Sequence, residues 1–324
     1  MTRRFLVAPD SFKGTFSADE VADAIATGLE EAGDEAERCP VADGGEGTME
    51  VLLGALGGER RRAQVHDPLR WPLEVSFGLL DDGATAIVET AQASGLPLVA
   101  PAERDAERAD TFGTGELIAA AVEAGAQRVL LAVGGSASTD GGTGAIEALR
   151  QAGLLGKVEI EVLCDVTAAY EDAARLFAAQ KGAPDAAAVE RLTARLEALA
   201  AELPRDPRGV PMTGCAGGLS GGLWAHGARL RPGAGFVLDA IEFDARLART
   251  DALISGEGCF DAQSLAGKIV GEIAGRCGAA GKPLHLVVGG NAYEGEPPRA
   301  ISSISEAGTL SELRRAGREL TESR

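Results

Sequence analysis

The five cysteines are odd in number and scattered (Cys39, Cys164, Cys215, Cys259, Cys277), and no two form a C-x-x-C pair. Such a set supports neither a disulfide framework nor a zinc site, and it reads as the reduced thiols of a cytoplasmic protein. No apolar run approaches the ~20 residues that span a bilayer. The first residues, MTRRFLVAPDSF, are basic but lack the sustained apolar stretch of a secretion signal. Positive charge is also short: the formal net charge is -18. Nucleic acids and anionic membranes need extended positive surface, so neither is an expected partner. An anionic small molecule stays open, provided a few cations or a metal ion focus the field locally.

Lysine is the scarcest cation. Only Lys13, Lys157, Lys181, Lys268 and Lys282 occur among 31 basic residues, leaving 26 arginines. Three of the five nevertheless lie in glycine-bearing stretches: SFKG, AQKGA and LAGK. Lysine is a compact point charge on a flexible stem, suited to a phosphate oxygen. The named phosphate motifs are missing. At Lys268 the position where Walker A needs its first glycine is Ala262, and Ile269 follows the lysine. The first strand is followed by APDSFKG instead of G-x-G-x-x-G. A P-loop NTPase and a standard Rossmann dehydrogenase are thereby disfavoured. There is no G-x-S-x-G elbow, and His66, His226 and His285 share no metal-ligand spacing. His285, within LHLVV, reads as a core residue, and Trp71 and Trp224 read as packing residues.

At 324 residues the chain is long for one core, so two domains are expected. Short apolar runs alternate with helical patterns, which predicts an α/β fold. RFLVAP forms a first strand, and the following helix opens with a capping box of Ser17 and Glu20. Val21, Ile25 and Leu29 then line one face. A helix is predicted from Thr48 to Leu56. LEVSFGLL, a DDG turn and TAIVET then predict an antiparallel hairpin, foreign to a purely doubly wound sheet. A domain change is therefore placed near Arg60, giving residues 1–60 with 250–324 and an inserted domain of 61–249. Further helices are expected at Gly115–Glu123, Thr143–Ala152, Ala186–Leu203 and Lys268–Cys277. A second hairpin-like region is expected between Leu203 and the strand DALISGEG.

Forty-four glycines are more than an average chain carries, and they cluster where apolar runs end. APDSFKG, VADGGEGT, VGGSASTDGG and ISGEGCFDAQSLAGK each join a strand end to glycine with acidic or hydroxyl groups. Ligands of open α/β sheets bind at the carboxyl ends of strands, beside helix N-termini that suit phosphate. The acidic residues there, Asp10, Asp43, Glu46, Asp140, Asp165, Glu257 and Asp261, would repel phosphate unless Mg²⁺ intervened. A carboxylate could also accept a hydroxyl proton during phosphoryl transfer. For Asp140 a role as a helix cap competes evenly with a functional one.

In this order the motifs resemble the glycerate kinase family, which includes bacterial glycerate 2-kinases. The matching stretches are APDSFKGTFSADEVADAI, CPVADGGEGTMEVL, DTFGTGELIAAA, VGGSASTDGGTGA, CDV with FAAQKGA, GCAGGLSGGL and DALISGEGCFDAQSLAGK. The resemblance implies ATP- and Mg²⁺-dependent phosphorylation of glycerate, normally at the 2-hydroxyl. It also implies two α/β domains: a Rossmann- or flavodoxin-like parallel-sheet domain from both chain ends, and an inserted second domain with antiparallel hairpins. Two departures stand out. TAAYEDAARL (167–176) replaces an Asn-Pro-Leu-x-Gly-type turn, and Thr139 replaces the asparagine before the second Asp-Gly-Gly.

On this reading Asp10, Ser11, Lys13, Gly44, Gly45 and Glu46 bind the acid. Gly134, Gly135, Ser136, Lys181, Gly217, Gly218, Gly221 and Glu257 cradle ATP. Asp43, Glu257 and Asp261 hold Mg²⁺, with Lys268 at the phosphate. The general base stays open among Asp43, Asp165 and Asp261. Two alternatives are a kinase for an erythronate-like or longer aldonate, and a catalytically silent nucleotide sensor. A homodimer is compatible with all three.

Overall fold

The computed structural model describes residues 2–265 and 267–322. Ala266 of the LAGK stretch and the last two positions of the 250–324 range lie outside the described residues. The chain divides into two compact units, Met1–Asp43 with Ala234–Arg324, and Gly44–Gly233.

The terminal unit begins with β1 (Arg4–Val7), α1 (Ala18–Glu31) and β2 (Glu35–Arg38). The other unit follows with α2 (Thr48–Leu56), β3 (Gly58–His66), β4 (Pro72–Leu80), β5 (Thr85–Glu89) and α3 (Thr90–Ser94). It continues through α4 (Phe112–Glu123), β6 (Arg128–Ala132), α5 (Thr143–Gln151) and β7 (Glu159–Cys164). It ends with α6 (Ala173–Phe177), α7 (Ala186–Glu202), α8 (Leu219–Ala225) and β8 (Arg229–Pro232). The chain then returns to the first unit through α9 (Gly233–Ala240), α10 (Phe243–Leu247) and β9 (Ala252–Ser255). The last elements are α11 (Ile269–Ala280), β10 (Leu284–Val288), β11 (Ile301–Glu306) and α12 (Leu310–Glu322).

In the terminal unit five strands run in the order β11-β10-β9-β1-β2. Every pairing is parallel. A parallel sheet is covered on both faces, which is why RFLV and ALIS are almost uniformly apolar. The Ser17–Glu20 capping box is present: Glu20 N–H donates to Ser17 Oγ (3.2 Å), and Ser17 N–H donates to Glu20 Oε2 (2.9 Å). It fixes the start of α1, so that Val21, Ile25 and Leu29 are buried with Phe5, Ile254 and Leu313. Burying each such side chain contributes about 2 kcal/mol.

The other unit carries a six-stranded mixed sheet, β3-β4-β5-β6-β7-β8. β3, β4 and β5 are antiparallel, and β5 to β8 are parallel. The predicted hairpin lies here as β4 and β5. The second hairpin-like region is absent: that stretch forms α8 and then β8, which pairs parallel with β7. The unit boundaries also differ from the sequence-based ones. α2 packs on β3, β4 and β5, which places it with the mixed sheet. Arg276 of α11 bridges to Asp239 and Asp244 (2.7 and 3.2 Å), which ties α9 and α10 to the terminal unit. Trp71 is not a packing residue: it is 68% exposed at the β3–β4 turn. Trp224 is half-buried beneath the Arg205 guanidinium. His285 is half-buried instead of lying in the core, with its Nδ1 2.8 Å from Ser303 Oγ. No helix among the described residues is long and apolar enough to cross a membrane.

Candidate active site

In the terminal unit, the carboxyl ends of β1 and β9 open into a cavity of about 500 Å³. Asp10, Ser11, Lys13, Asp43, Glu257, Asp261 and Lys268 all line it. These seven residues, read from three separate stretches of sequence, thus meet in one place. Parallel strand order brings this about, since β1 and β9 are neighbours although some 240 residues separate them. Glycines allow the close approach: a Cβ on Gly289 would lie 2.5 Å from the Gly258 carbonyl oxygen. Thr15, Cys259 and Gly308 also line the cavity and were not among the expected site residues. Gly308 had a signal, because SISEAG is a strand ending in glycine like the four stretches that were read. Thr15 and Cys259 had only their position inside such stretches.

The cavity mixes two cations with several acids. Lys13 Nζ lies 3.5 Å from Asp43 Oδ2. Asp10 is buried and accepts the Ser11 N–H at 2.7 Å. Burial, reinforced by the charge of Asp43, holds its carboxyl well above the usual range. Burial likewise pushes Glu257 up to about 6, against a hydrogen bond from Ser264 and the pull of Lys268. Ser11 Oγ and Glu257 Oε1 are buried atoms without a hydrogen-bond partner in the structure. Two unsatisfied polar atoms on one cavity wall are costly in a finished core and natural in a ligand site. Asp261 is partly committed elsewhere, since its Oδ1 accepts the Gln263 and Ser264 N–H groups (2.7 and 3.2 Å) and caps the turn after β9.

The remaining candidates lie in the unit of the mixed sheet. At the ends of β6 and β7 a Cβ on Gly134 would lie 2.7 Å from Gly45 Cα and 3.1 Å from Asp165 Oδ2. The turn that carries Gly44, Gly45 and Glu46 is therefore packed, at Gly45, beside Gly134, with Asp165 also against Gly134. Lys181 is buried, and its ammonium donates to Ser136 Oγ (2.9 Å) and the Ser138 carbonyl (2.6 Å). Burial lowers its pKa to about 8. Both bonds brace the 134–140 turn from within, which differs from an ammonium presented to a phosphate. Gly217, Gly218 and Gly221 also face protein. A Cβ on Gly218 would lie 2.8 Å from Tyr170 Cε2 and 2.9 Å from Gly141 Cα. The Gly218 and Gly221 N–H groups donate to the Gly214 and Thr213 carbonyls. Gly218 and Gly221 permit close packing on Tyr170, itself part of the altered 167–176 stretch, while a Cβ on Gly217 would lie 2.6 Å from Thr139 Cα.

Asp140 resolves toward structure. Its Oδ2 accepts the Thr111 N–H, the Thr111 hydroxyl and the Gly144 N–H (3.0, 2.8 and 3.0 Å), and its Oδ1 accepts the Gly142 N–H (3.1 Å). Asp140→Ala should therefore cost about 3 kcal/mol of stability, because it strands buried donors. Thermal denaturation checks this, and an unchanged midpoint would contradict it.

Among the described residues no three His, Cys, Asp or Glu side chains converge as metal ligands. That still fits Mg²⁺ in its usual mode, with one or two carboxylates and substrate phosphates completing the shell. Asp43, which lines the cavity, supplies a carboxylate of the kind that mode uses.

The family model described as "Glycerate kinase family" matches residues 5–154 and 150–320. Glycerate 2-kinase of Escherichia coli K12 is 35% identical, over 95% of this chain and 92% of its own length. Glycerate kinase of Bacillus subtilis is 36% identical, over 82% and 79%. The crystal structure assigned as a glycerate kinase 2 from Salmonella typhimurium LT2 superposes with a TM-score of 0.81. It is 31% identical and covers 100% of this chain and 98% of its own. The chain belongs to the glycerate kinase family and is a phosphotransferase with an alcohol acceptor.

Proposed function

We propose that this protein transfers the γ-phosphoryl group of ATP, with Mg²⁺, to the 2-hydroxyl of D-glycerate. The observation that carries this reading is the cavity of the terminal unit, where Lys13, Lys268 and Ser11 line the same wall as Asp43 and Glu257. Cations suit a carboxylate and a phosphate, and the acids suit a hydroxyl. The names of the relatives point the same way.

Lys13 and Ser11 bind the glycerate carboxylate, the hydroxyl supplying the hydrogen bond that the buried Ser11 Oγ lacks. Lys268 sits at the N-cap of α11, where its ammonium adds to the positive end of a 12-residue helix. That combination suits the phosphoryl group in transfer. Mg²⁺, held by Asp43 with the substrate phosphates, would neutralise phosphate charge when bound. Glu257 is the best-suited proton acceptor: burial has brought its pKa to about 6, close to where a general base works at neutral pH. Phosphoryl transfer has a loose transition state, so positioning and charge stabilisation carry most of the rate. The test is turnover with ATP, Mg²⁺ and a panel of small hydroxy acids. Best turnover with another acid would move the substrate, and none with any acid would favour a silent sensor.

A further inference from the structure

Outside the residues discussed so far, the most unusual group is Glu89, the last residue of β5. It is 2% exposed, yet among the described residues no cation is bonded to it. Its Oε1 accepts the backbone N–H of Met49 at 2.8 Å, and Gln92 Nε2 approaches its Oε2 at 3.4 Å. Burying a carboxylate is unfavourable, and burial raises the pKa of this one. Alanine would avoid that cost, so a side-chain acceptor at this position needs a compensating role.

Met49 supplies one. It lies in the first turn of α2, whose N-cap is Gly47 with φ 92° and no side chain to cap the helix. Glu89, 40 residues further along, provides the missing acceptor, and its charge lies at the positive end of the helix. The turn immediately before is Gly44-Gly45-Glu46-Gly47. Its other end is held by the Val133 N–H, which donates to the Gly44 carbonyl at 2.9 Å. Gly44 has φ 97°, and a Cβ there would lie 2.8 Å from Gly233 Cα, so only glycine fits at this end. A glycine-rich turn has little stiffness of its own. Here it is fixed at both ends, at Gly44 by Val133 and at Met49 by Glu89.

We infer that Glu89 is a positioning residue, which holds the Gly44–Gly47 turn in the geometry that binds the acid substrate by accepting the Met49 N–H from β5. This rests on the reading of that turn as part of the acceptor site. At 2% exposure Glu89 acts through the turn it holds. Its effect therefore falls on the acceptor and not on the nucleotide.

Three variants separate the possibilities. Glu89→Ala removes the acceptor, Glu89→Asp withdraws it by one methylene, and Glu89→Gln keeps an amide oxygen that still accepts the Met49 N–H. Deuterium uptake in a peptide spanning residues 44–52 should rise in the alanine and aspartate variants and stay near wild type in the glutamine variant. The KM for D-glycerate should rise about tenfold in the first two, with the KM for ATP within about twofold and glutamine restoring most of the difference. Should alanine unfold the protein, the aspartate–glutamine pair makes the same comparison. Unchanged uptake in Glu89→Asp would overturn the pinning. Raised uptake with both KM values unchanged would overturn its link to the acceptor. The exchange measurement uses no substrate, so raised uptake in a protein inactive on glycerate would uphold the pinning while sinking the glycerate reading.

Discussion

Lys268→Ala is expected to lower kcat/KM for phosphoryl transfer by about 10²–10³-fold, the usual cost of removing one preorganised charge stabiliser from an active site. Lys268 lines the cavity and occupies the N-cap of α11 without making a side-chain capping bond there. An ammonium has no acceptor with which to cap a helix, and its charge is unfavourable at the positive end, so the residue points to a ligand role and not to holding the helix. Charge on the transferring group spreads over its oxygens in a loose transition state, and a fixed ammonium acts on that charge without reorganising. The side chain is half-buried, and substitutions at such positions usually shift stability by no more than about 0.5 kcal/mol. A coupled assay of ADP release, read beside the melting midpoint, distinguishes lost chemistry from lost fold. A fully active, folded Lys268→Ala protein would contradict the phosphate assignment.

Glu257→Gln should combine a turnover loss of about 10²-fold or more with a gain in stability at neutral pH. The two effects have one origin. Burial raises the carboxyl from its ordinary 4.5 to about 6 in the folded chain, so the folded state favours the protonated form. A shift of this size corresponds to about 2 kcal/mol at 1.36 kcal/mol per unit. The sign follows directly. Between about pH 4.5 and 6 the folded protein binds more protons than the unfolded chain, so stability falls as pH rises through that window. Above it the ionised, buried Glu257 carries the full cost. Activity runs the other way, since the ionised form takes the proton, and kcat/KM should fall as pH drops through about 6. Glutamine removes the titration. Melting midpoints of metal-free protein from pH 4.5 to 8 should then show the variant more stable at the upper end and matched at the lower end. A variant no more stable at pH 8 than wild type, or an acid limb that survives the substitution, would show that Glu257 is not the titrating base.

Much of this molecule is legible in its residues, for reasons that can be named. The Ser17–Glu20 box, the uniformly apolar strands and the glycines at strand ends are local signals, and local physics decides them. The scarcity of lysine worked similarly: in a chain that favours arginine, Lys13 and Lys268 stood out, and both line the cavity. What was not legible depends on contacts between distant residues. The unit boundary falls at Asp43, not Arg60, because α2 packs on the mixed sheet and its first turn is capped from β5. A glycine that admits a phosphate and one that admits the Tyr170 ring look the same in sequence, so the packing of Gly218 and Gly221 on Tyr170 could not be read there. For Asp140 the sequence left a helix cap and a functional role evenly matched, since a buried polar group that organises a turn has the same neighbours as one that meets a ligand; the four hydrogen bonds it accepts are visible only in the fold.

The most direct test of the account is the product formed from D-glycerate, ATP and Mg²⁺, identified by ³¹P NMR. The account predicts ADP and a single new phosphomonoester resonance, that of 2-phosphoglycerate, absent when glycerate is omitted. A 3-phosphoglycerate resonance would contradict the assigned hydroxyl. No phosphoester from glycerate, with turnover of another hydroxy acid, would contradict the substrate.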